Sequence, residues 1–254
     1  MDSGMYTSAI SMLDQFNTEN SISDNLSNLQ TPGYKTRTPV LESFSQTLLS
    51  SAQGLDTGTN STVIGQFATA PQIHNYGLDL GQGTPRSTGA PLDTMIVGNA
   101  FFTVRSGSQT LLTRNGSFQR GANGLLMTAS GYPVLSNAAS PIHIPQGTIS
   151  IDRAGAISVN GKPVAQLGLA RVPVGKPLTE AGSGYYHGPG IPLPPRTAGL
   201  AVLQGYLETS NVDMSTQTTA MVAAQRAYQE SSRMLQIEDD TMGLAVNELG
   251  KVGA

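Results

Sequence analysis

Residues 205–235 read GYLETSNVDMSTQTTAMVAAQRAYQESSRML, and from Met214 onward Met214, Met221, Tyr228, Leu235, Met242 and Leu249 follow one another at steps of seven. No proline falls between Asp213 and Leu249. Six successive heptad positions predict one long helix with a narrow apolar seam. Over 213–249 it would be about 55 Å long at ~1.5 Å per residue. Ser210 or Asn211 can cap its start, and Asp213 is placed well for the positive end of the dipole. The second seam position holds Ala224, Ser231, Glu238 and Ala245, so the seam is only one large residue wide in every two turns. Such a helix draws its stability from packing against partners.

The other end of the chain has the same character. From Ser3 to Leu29, Met5, Ala9, Met12, Leu13, Phe16, Ile22, Leu26 and Leu29 recur mostly at three- and four-residue steps, which places them on one stripe of a helix. Glu19 and Ser23 interrupt the stripe. Pro32 disfavours helical geometry at Thr31 and Gly33 admits a positive φ, so the helix should stop near Gln30.

Between Val40 and Gly205 short apolar runs alternate with Gly, Asn and Pro, the pattern of strands and tight turns. TMIVGNAFFTV (94–104) and LLTRNGSFQR (111–120) read as strands, with Asn115-Gly116 expected to supply a two-residue hairpin turn. Residues 50–91 and the Gly/Pro-dense 182–199 read as linkers or extended arms, being too poor in apolar side chains for a core of their own.

The bulk numbers restrict the function. The chain has 254 residues, 38% hydrophobic and 12% charged, with net charge -3 and no Lys/Arg run, so nothing provides the long-range attraction to phosphate that nucleic acid requires. It has no Cys, which removes thiolate chemistry, disulfides and Cys-based metal sites. No run approaches the ~20 apolar residues of a membrane span, and MDSGMYTSAI is not a cleavable signal, so export would proceed without one.

Chemistry-bearing constellations are not found. His74, His143 and His187 have no partner at metal-ligand spacing, and a bland strand or surface position is expected for each. Glu238, Asp239 and Asp240 are consecutive on the long helix, where they fan out rather than converge. GLDLGQGTPRSTG (77–89) lacks the strand, glycine loop and lysine of a phosphate cradle. The expected cofactors are none.

Two stretches carry a resemblance. SDNLSNLQTPGYKT, through Asn25, Leu26, Asn28, Thr31, Gly33, Tyr34 and Lys35, resembles the N-terminal signature of the bacterial flagellar axial proteins, the rod and hook family. Asp24 and Ser27 depart from it. Gly205, Leu207, Glu208, Ser210, Asn211, Val212 and Asp213 resemble the lead-in to that family's C-terminal helix, and Met221, Val222, Gln225, Arg226, Ala227 and Tyr228 resemble the helix itself. The middle is similar to the rod subgroup over 91–135, and the likeness is weakest at 50–75 and 175–200.

The resemblance implies an α+β protein whose N- and C-terminal helices form a helical coiled-coil assembly domain, with a β-rich domain of short strands between them. The expected divisions are 1–35 (N-terminal helix), 36–91 (extended arm), 92–204 (β-rich outer domain) and 205–254 (C-terminal helix). It implies a non-enzymatic structural subunit of the flagellar rod, located in the basal body outside the cytoplasmic membrane and polymerising into the tubular shaft that encloses the export channel. Its partners would be further copies, other rod subunits and hook protein, the type III export apparatus and surrounding ring proteins, without nucleic acid or membrane insertion. The expected assembly interface comprises Met5, Met12, Phe16, Asn25, Leu26, Asn28, Thr31, Gly33, Tyr34, Asn211, Met214, Met221, Gln225, Arg226, Tyr228, Leu235, Met242 and Leu249. The alternative is a secreted oligomeric β-domain adhesin or binding module, with Tyr185, Tyr186 and His187 as its first binding surface.

Overall fold

The computed structural model describes residues 2–42, 47–52, 61–67, 72–173, 175–176, 178–182, 184–194 and 197–252. Helix α1 (Asp2–Ser27) opens the chain and α2 (Met214–Val252) closes it. Between them run β1 (Arg37–Glu42), β2 (Thr47–Ala52), β3 (Ser61–Phe67), β4 (Gln72–Leu78), β5 (Pro85–Ser87), β6 (Thr94–Val97) and β7 (Phe101–Ser106). Then come β8 (Gln109–Thr113), β9 (Phe118–Arg120), β10 (Leu126–Thr128), β11 (Ile149–Ile151), β12 (Ala156–Val159) and β13 (Lys162–Gln166). The last are β14 (Leu169–Arg171), β15 (Thr179–Gly182), β16 (Tyr185–His187), β17 (Ile191–Pro192), β18 (Ala201–Gln204) and β19 (Tyr206–Glu208). The chain divides into two compact units, one of Met1–Asp24, Arg37–Gly77 and Ser215–Ala254, the other of Asn25–Thr36 and Leu78–Met214.

The first unit holds the helices and two small ladders, β1 with β4 and β2 with β3. Arg37 on β1 ties the end of α1 down: its guanidinium lies 3.3 Å from the Asp24 carboxylate and 4.4 Å over the Tyr76 ring, and its carbonyl accepts from Ser21 Oγ at 3.4 Å. The helices are linked by polar side chains, Gln225 Nε2 donating to Glu19 Oε1 at 3.1 Å and Ser231 Oγ to Ser11 Oγ at 3.5 Å. Residue numbers rise along one helix as they fall along the other, so they run antiparallel.

This corrects the expectation of a coiled-coil assembly domain. The chain has one helix at each end of a β-rich centre, and among the described residues no coiled coil. Leu13, Phe16, Met234, Ile237 and Leu244 remain exposed. The reason lies in the second seam position, where Ala224, Ser231 and Glu238 provide no large knob. Interlocking of that kind needs apolar side chains at both seam positions of the heptad.

The second unit is built on a six-stranded antiparallel sheet in the order β15-β16-β8-β7-β14-β17. Alternation along a strand sends successive side chains to opposite faces. On β7, Phe102 enters a cluster with Val104, Phe118, Leu126 and Val134, while Phe101 enters a second one with Leu112, Ala170 and Tyr186. Phe102 meets Phe118 edge-on with centroids 5.0 Å apart, and Phe101 meets Tyr186 at 6.1 Å. The central strand is therefore buried on both faces. A three-stranded ladder β11-β12-β13 and the pairs β9-β10, β6-β18 and β5-β19 complete the unit.

Turn placement differs from expectation. Neither Asn115 nor Gly116 has a positive φ; Asn115 Oδ1 instead accepts from Ser117 N at 3.0 Å, and Gly116 lies against the Thr94 carbonyl. The tight Asn-Gly hairpin is at Asn160-Gly161, with φ of 51° and 77°, joining β12 to β13. Residues 182–199, read as either a linker or an ordered extended arm, contain β16, whose Tyr185 and Tyr186 are buried.

Because both faces of β7 are filled, Phe101→Ala and Phe102→Ala should each destabilise the second unit by about 3–5 kcal/mol. Urea unfolding of the two variants checks this; a small loss for one of them would show that its cluster can collapse around the void.

Candidate functional site

The last turn of α1 leads through residues 28–33 into a buried junction in the second unit. Asn25 is fully enclosed and accepts a hydrogen bond from the Tyr34 hydroxyl at 3.3 Å. Thr31 Oγ1 donates to Asn28 Oδ1 at 3.0 Å, a local bond of the kind that lets Asn and Thr end a helix. Gly33 has φ +69° and its N–H donates to the Glu208 carbonyl at 2.8 Å. A Cβ there would collide with the Arg114 backbone. Only glycine meets both requirements.

At the centre stands Glu208, at the end of β19 and 1% exposed. Its Oε1 accepts from Lys35 Nζ at 2.6 Å and from Gly83 N at 2.9 Å, and its Oε2 accepts from Arg114 Nη1 at 3.1 Å. Lys35 Nζ also donates to the Gly81 carbonyl at 2.6 Å. Arg114 Nη1 and Nη2 donate to the carbonyls of Ile96 and Gly98 at 3.3 and 2.6 Å, and its guanidinium carbon sits 5.2 Å from the centre of the Phe101 ring. All three charged side chains are at least 98% removed from solvent.

Asn211 closes the rim. Its Oδ1 accepts from Thr36 N and Thr36 Oγ1 at 2.8 and 2.9 Å, and its Nδ2 donates to the carbonyls of Asp79 and Gly81 at 2.9 and 3.3 Å. Its side chain is thus committed to the junction, and α2 begins at Met214 with Asp213 directly before it. Lys35 N donates to the Tyr186 hydroxyl at 3.2 Å.

Burial governs the protonation equilibria. It lowers the Lys35 pKa below 10.5, with the Glu208 carboxylate opposing the shift, and it lowers Arg114 likewise. It raises Tyr186 above its ordinary 10.0. A lysine bonded to a carboxylate and a carbonyl has no lone pair to offer, so the arrangement acts by joining segments. Among the described residues no cluster of His, Asp or Glu can hold a metal. His143 is exposed, His187 is half-buried, and the His74 side chain lies outside the described residues.

The expected interface residues fall into two groups. Asn25, Gly33, Tyr34 and Asn211 meet in this junction, with Asn28 and Thr31 beside them and Leu26 half-buried on the last turn of α1. On the helices, Phe16, Met214, Gln225 and Arg226 are exposed, while Met5, Met12, Met221, Tyr228, Leu235 and Met242 are half-buried. The Leu249 side chain lies outside the described residues. Arg114 was not legible as a site residue, and Tyr186, read only as part of a binding surface in the alternative, is buried in the junction. The signal that could have pointed to Arg114 is the rarity of charge, since it is one of only 14 basic residues in the chain and directly follows the strand-like Leu111-Leu112-Thr113.

Removing the central charge while keeping its shape, Glu208→Gln, leaves two buried cations uncompensated and should cost about 3–5 kcal/mol in urea unfolding. A loss near zero would mean that the cations find other partners. Tyr186→Phe should cost about 1–2 kcal/mol at pH 7 by orphaning the Lys35 N–H. The folded pKa of Tyr186 is raised, so its stabilising contribution is complete below pH 10.0 and declines as pH rises further, where only the unfolded chain ionises. Lys35, with a lowered folded pKa, contributes in the opposite sense below 10.5, where the unfolded chain holds the extra proton. The difference between wild type and Tyr186→Phe isolates the tyrosine, and that difference should narrow above pH 10.0.

Comparison with known proteins bears on both ends and the middle. The flagellar hook protein FlgE/F/G D1 domain matches residues 95–159, and the flagellar basal body rod FlgEFG protein C-terminal domain matches 203–248. The chain is similar to the flagellar basal-body rod protein FlgG of Bacillus subtilis, 31% identical over 94% of this chain and 97% of that one. It is 34% identical to FlgG of Buchnera aphidicola subsp. Acyrthosiphon pisum over 88% and 90% of the two chains. With FlgF of Rhizobium meliloti it shares 27% identity over 98% and 99%.

Proposed function

Since this chain belongs to the family of flagellar basal-body rod proteins and is a structural subunit of the rod, we propose that it polymerises through the exposed faces of α1 and α2. The observation that carries this reading is a pair of apolar stripes on the helices. Tyr6, Leu13 and Phe16 lie seven and three residues apart on α1 and are each more than half exposed. Met234, Ile237 and Leu244 lie three and seven apart on α2, with exposures of 53%, 59% and 67%. Large apolar side chains at helical spacing, left in water on two antiparallel helices, are the mark of an interaction surface. Each contributes about 1.5–3 kcal/mol on burial, before the cost of ordering. A contact that joins one surface to a different one on the next copy propagates as a helical filament.

Among the expected interface residues, Phe16, Met214 and Arg226 are the exposed ones best placed to meet a neighbour; Asn25, Gly33, Tyr34 and Asn211 would act indirectly, by holding the unit from which α1 and α2 emerge. Other rod subunits and hook protein would meet this subunit at the ends of its segment, inside the surrounding rings, after delivery by the type III export apparatus to a site outside the cytoplasmic membrane. No described helix is long and apolar enough to cross a membrane. The role needs no catalysis, because the buried ionic groups are committed to one another. Nothing favours the adhesin alternative, whose first binding surface has Tyr185 and Tyr186 in the core.

In a strain lacking this gene, complementation with wild type should restore complete rods in electron micrographs of isolated basal bodies. Leu13→Asp and Ile237→Asp should leave the melting temperature of the purified subunit within a few degrees of wild type yet fail to restore rods. Full rods with Ile237→Asp would remove that face of α2 from the interface.

A further inference from the structure

The chain has neither Cys nor Trp, so its nine Met residues are the side chains most open to two-electron oxidants. Six of the nine lie on the terminal helices, Met5 and Met12 on α1 and Met214, Met221, Met234 and Met242 on α2. Their surroundings differ. Met214 and Met234 are 60% and 53% exposed, whereas Met95 in the second unit is 2% exposed. Met5, Met12, Met127, Met221 and Met242 are half-buried. Met234 stands three residues before Ile237 on the apolar stripe of α2, and Met214 opens the same helix.

An exposed thioether on an apolar surface has two properties at once. It packs as an unbranched, adaptable apolar group, and its sulfur lone pairs are open to an electrophilic oxygen. With a hydroperoxide the sulfur attacks one peroxide oxygen: an S–O bond forms, the O–O bond breaks, and the proton of the transferred hydroxyl leaves with the departing oxygen as water or alcohol. Sulfur is oxidised by two electrons and the peroxide is reduced by the same two. The resulting sulfoxide is polar and accepts hydrogen bonds, so burying it against apolar neighbours is unfavourable where burying the thioether was favourable.

We propose that Met214 and Met234 are the sites at which hydroperoxides modify this chain, and that their conversion to sulfoxides turns off the exposed face of α2 as an assembly surface. The proposal rests on the polymerisation reading above and adds a regulation to it. Subunits awaiting assembly present both sulfurs to the oxidant, while the enclosed Met95 keeps the second unit intact.

The test treats the purified full chain with hydrogen peroxide, follows the gain of oxygen at each Met by peptide mass spectrometry, and measures self-association by sedimentation velocity before and after. Met214 and Met234 should be oxidised at least ~10-fold faster than Met95, because reactivity follows exposure. The oxidised chain should associate at least ~10-fold more weakly, since the burial of one large apolar side chain is worth that factor or more. Circular dichroism melting curves close to those of the untreated chain will show that the fold survives. Leucine keeps the apolar volume without the sulfur, so Met214→Leu with Met234→Leu should associate like wild type and continue to do so after peroxide. Methionine sulfoxide reductases of both epimer specificities, with dithiothreitol, should restore association to the oxidised wild type. Oxidation of Met95 as fast as of Met234, association unchanged once Met214 and Met234 are oxidised, or loss of association by the leucine variant on treatment overturns the proposal and leaves the polymerisation reading standing. An untreated chain that does not associate at any concentration overturns both.

Discussion

The Glu208 carboxylate is the group on which the second unit depends. It stands between Lys35 and Arg114, out of water, and each of the three would carry a desolvation cost of several kcal/mol if left alone. The arrangement is tolerable only when complete. The partners come from a segment 173 residues earlier and another 94 residues earlier, so the ion pairs act as a test that three distant pieces of backbone are in place together. The carbonyls of Gly81, Ile96 and Gly98 accept further cation protons while Arg114 Nε–H is left buried without a partner among the described residues, and Gly33 and Gly83 bring N–H groups onto Glu208.

This requirement shapes the order in which the chain can fold. The strands that carry Glu208 and its neighbours, β18 and β19, pair with β6 and β5, more than a hundred residues earlier. Gly205, at φ +79°, makes the bend between β18 and β19, and its N–H reaches the Asp93 carbonyl at 2.8 Å. Contacts of such sequence separation form late, because the loop between them must be closed before they yield any stabilisation. A chain made from its N-terminus cannot close the unit until Asn211 is available. Helix α2 then follows directly from the closed junction.

The two halves of the molecule use polar residues for different ends. In the junction, Asn211 and Tyr186 bond backbone groups and Asn25 bonds the Tyr34 hydroxyl, as buried polar groups require. On the helices, Ser231 and Gln225 bond to side chains of the other helix, while Leu13, Phe16, Met234, Ile237 and Leu244 are exposed. On the proposed polymerisation, a subunit must hold its fold and also keep a surface that prefers another copy to water. Putting the buried charges in one unit and the exposed apolar stripes on the helices serves both needs.

Both terminal helices were legible in the sequence, because a period of three to four residues sustained over many turns has few other meanings, and the β-rich middle was legible from its alternation and its turn residues. The motif at 25–35 and its counterpart at 205–213 pointed to the family. Other features depended on what lies nearby in space. Asn115-Gly116 has the composition of a hairpin turn, but the adjoining Arg114 is held in the junction and Gly116 is pressed against Thr94, so no such turn forms there; the Asn-Gly hairpin at Asn160-Gly161 is a separate one, joining β12 to β13. The coiled coil is implied by the resemblance alone, and the second heptad position, with Ala224, Ser231 and Glu238, decides against interlocking side chains. Tyr185 and Tyr186 sit among glycines and prolines that read as loop, yet strand pairing draws them into the core. Periodicity and chain-local chemistry were therefore determined by the sequence alone. Which buried cation meets which carboxylate was decided only by tertiary structure, because an ion pair depends on distance in space and leaves no periodic trace along the chain.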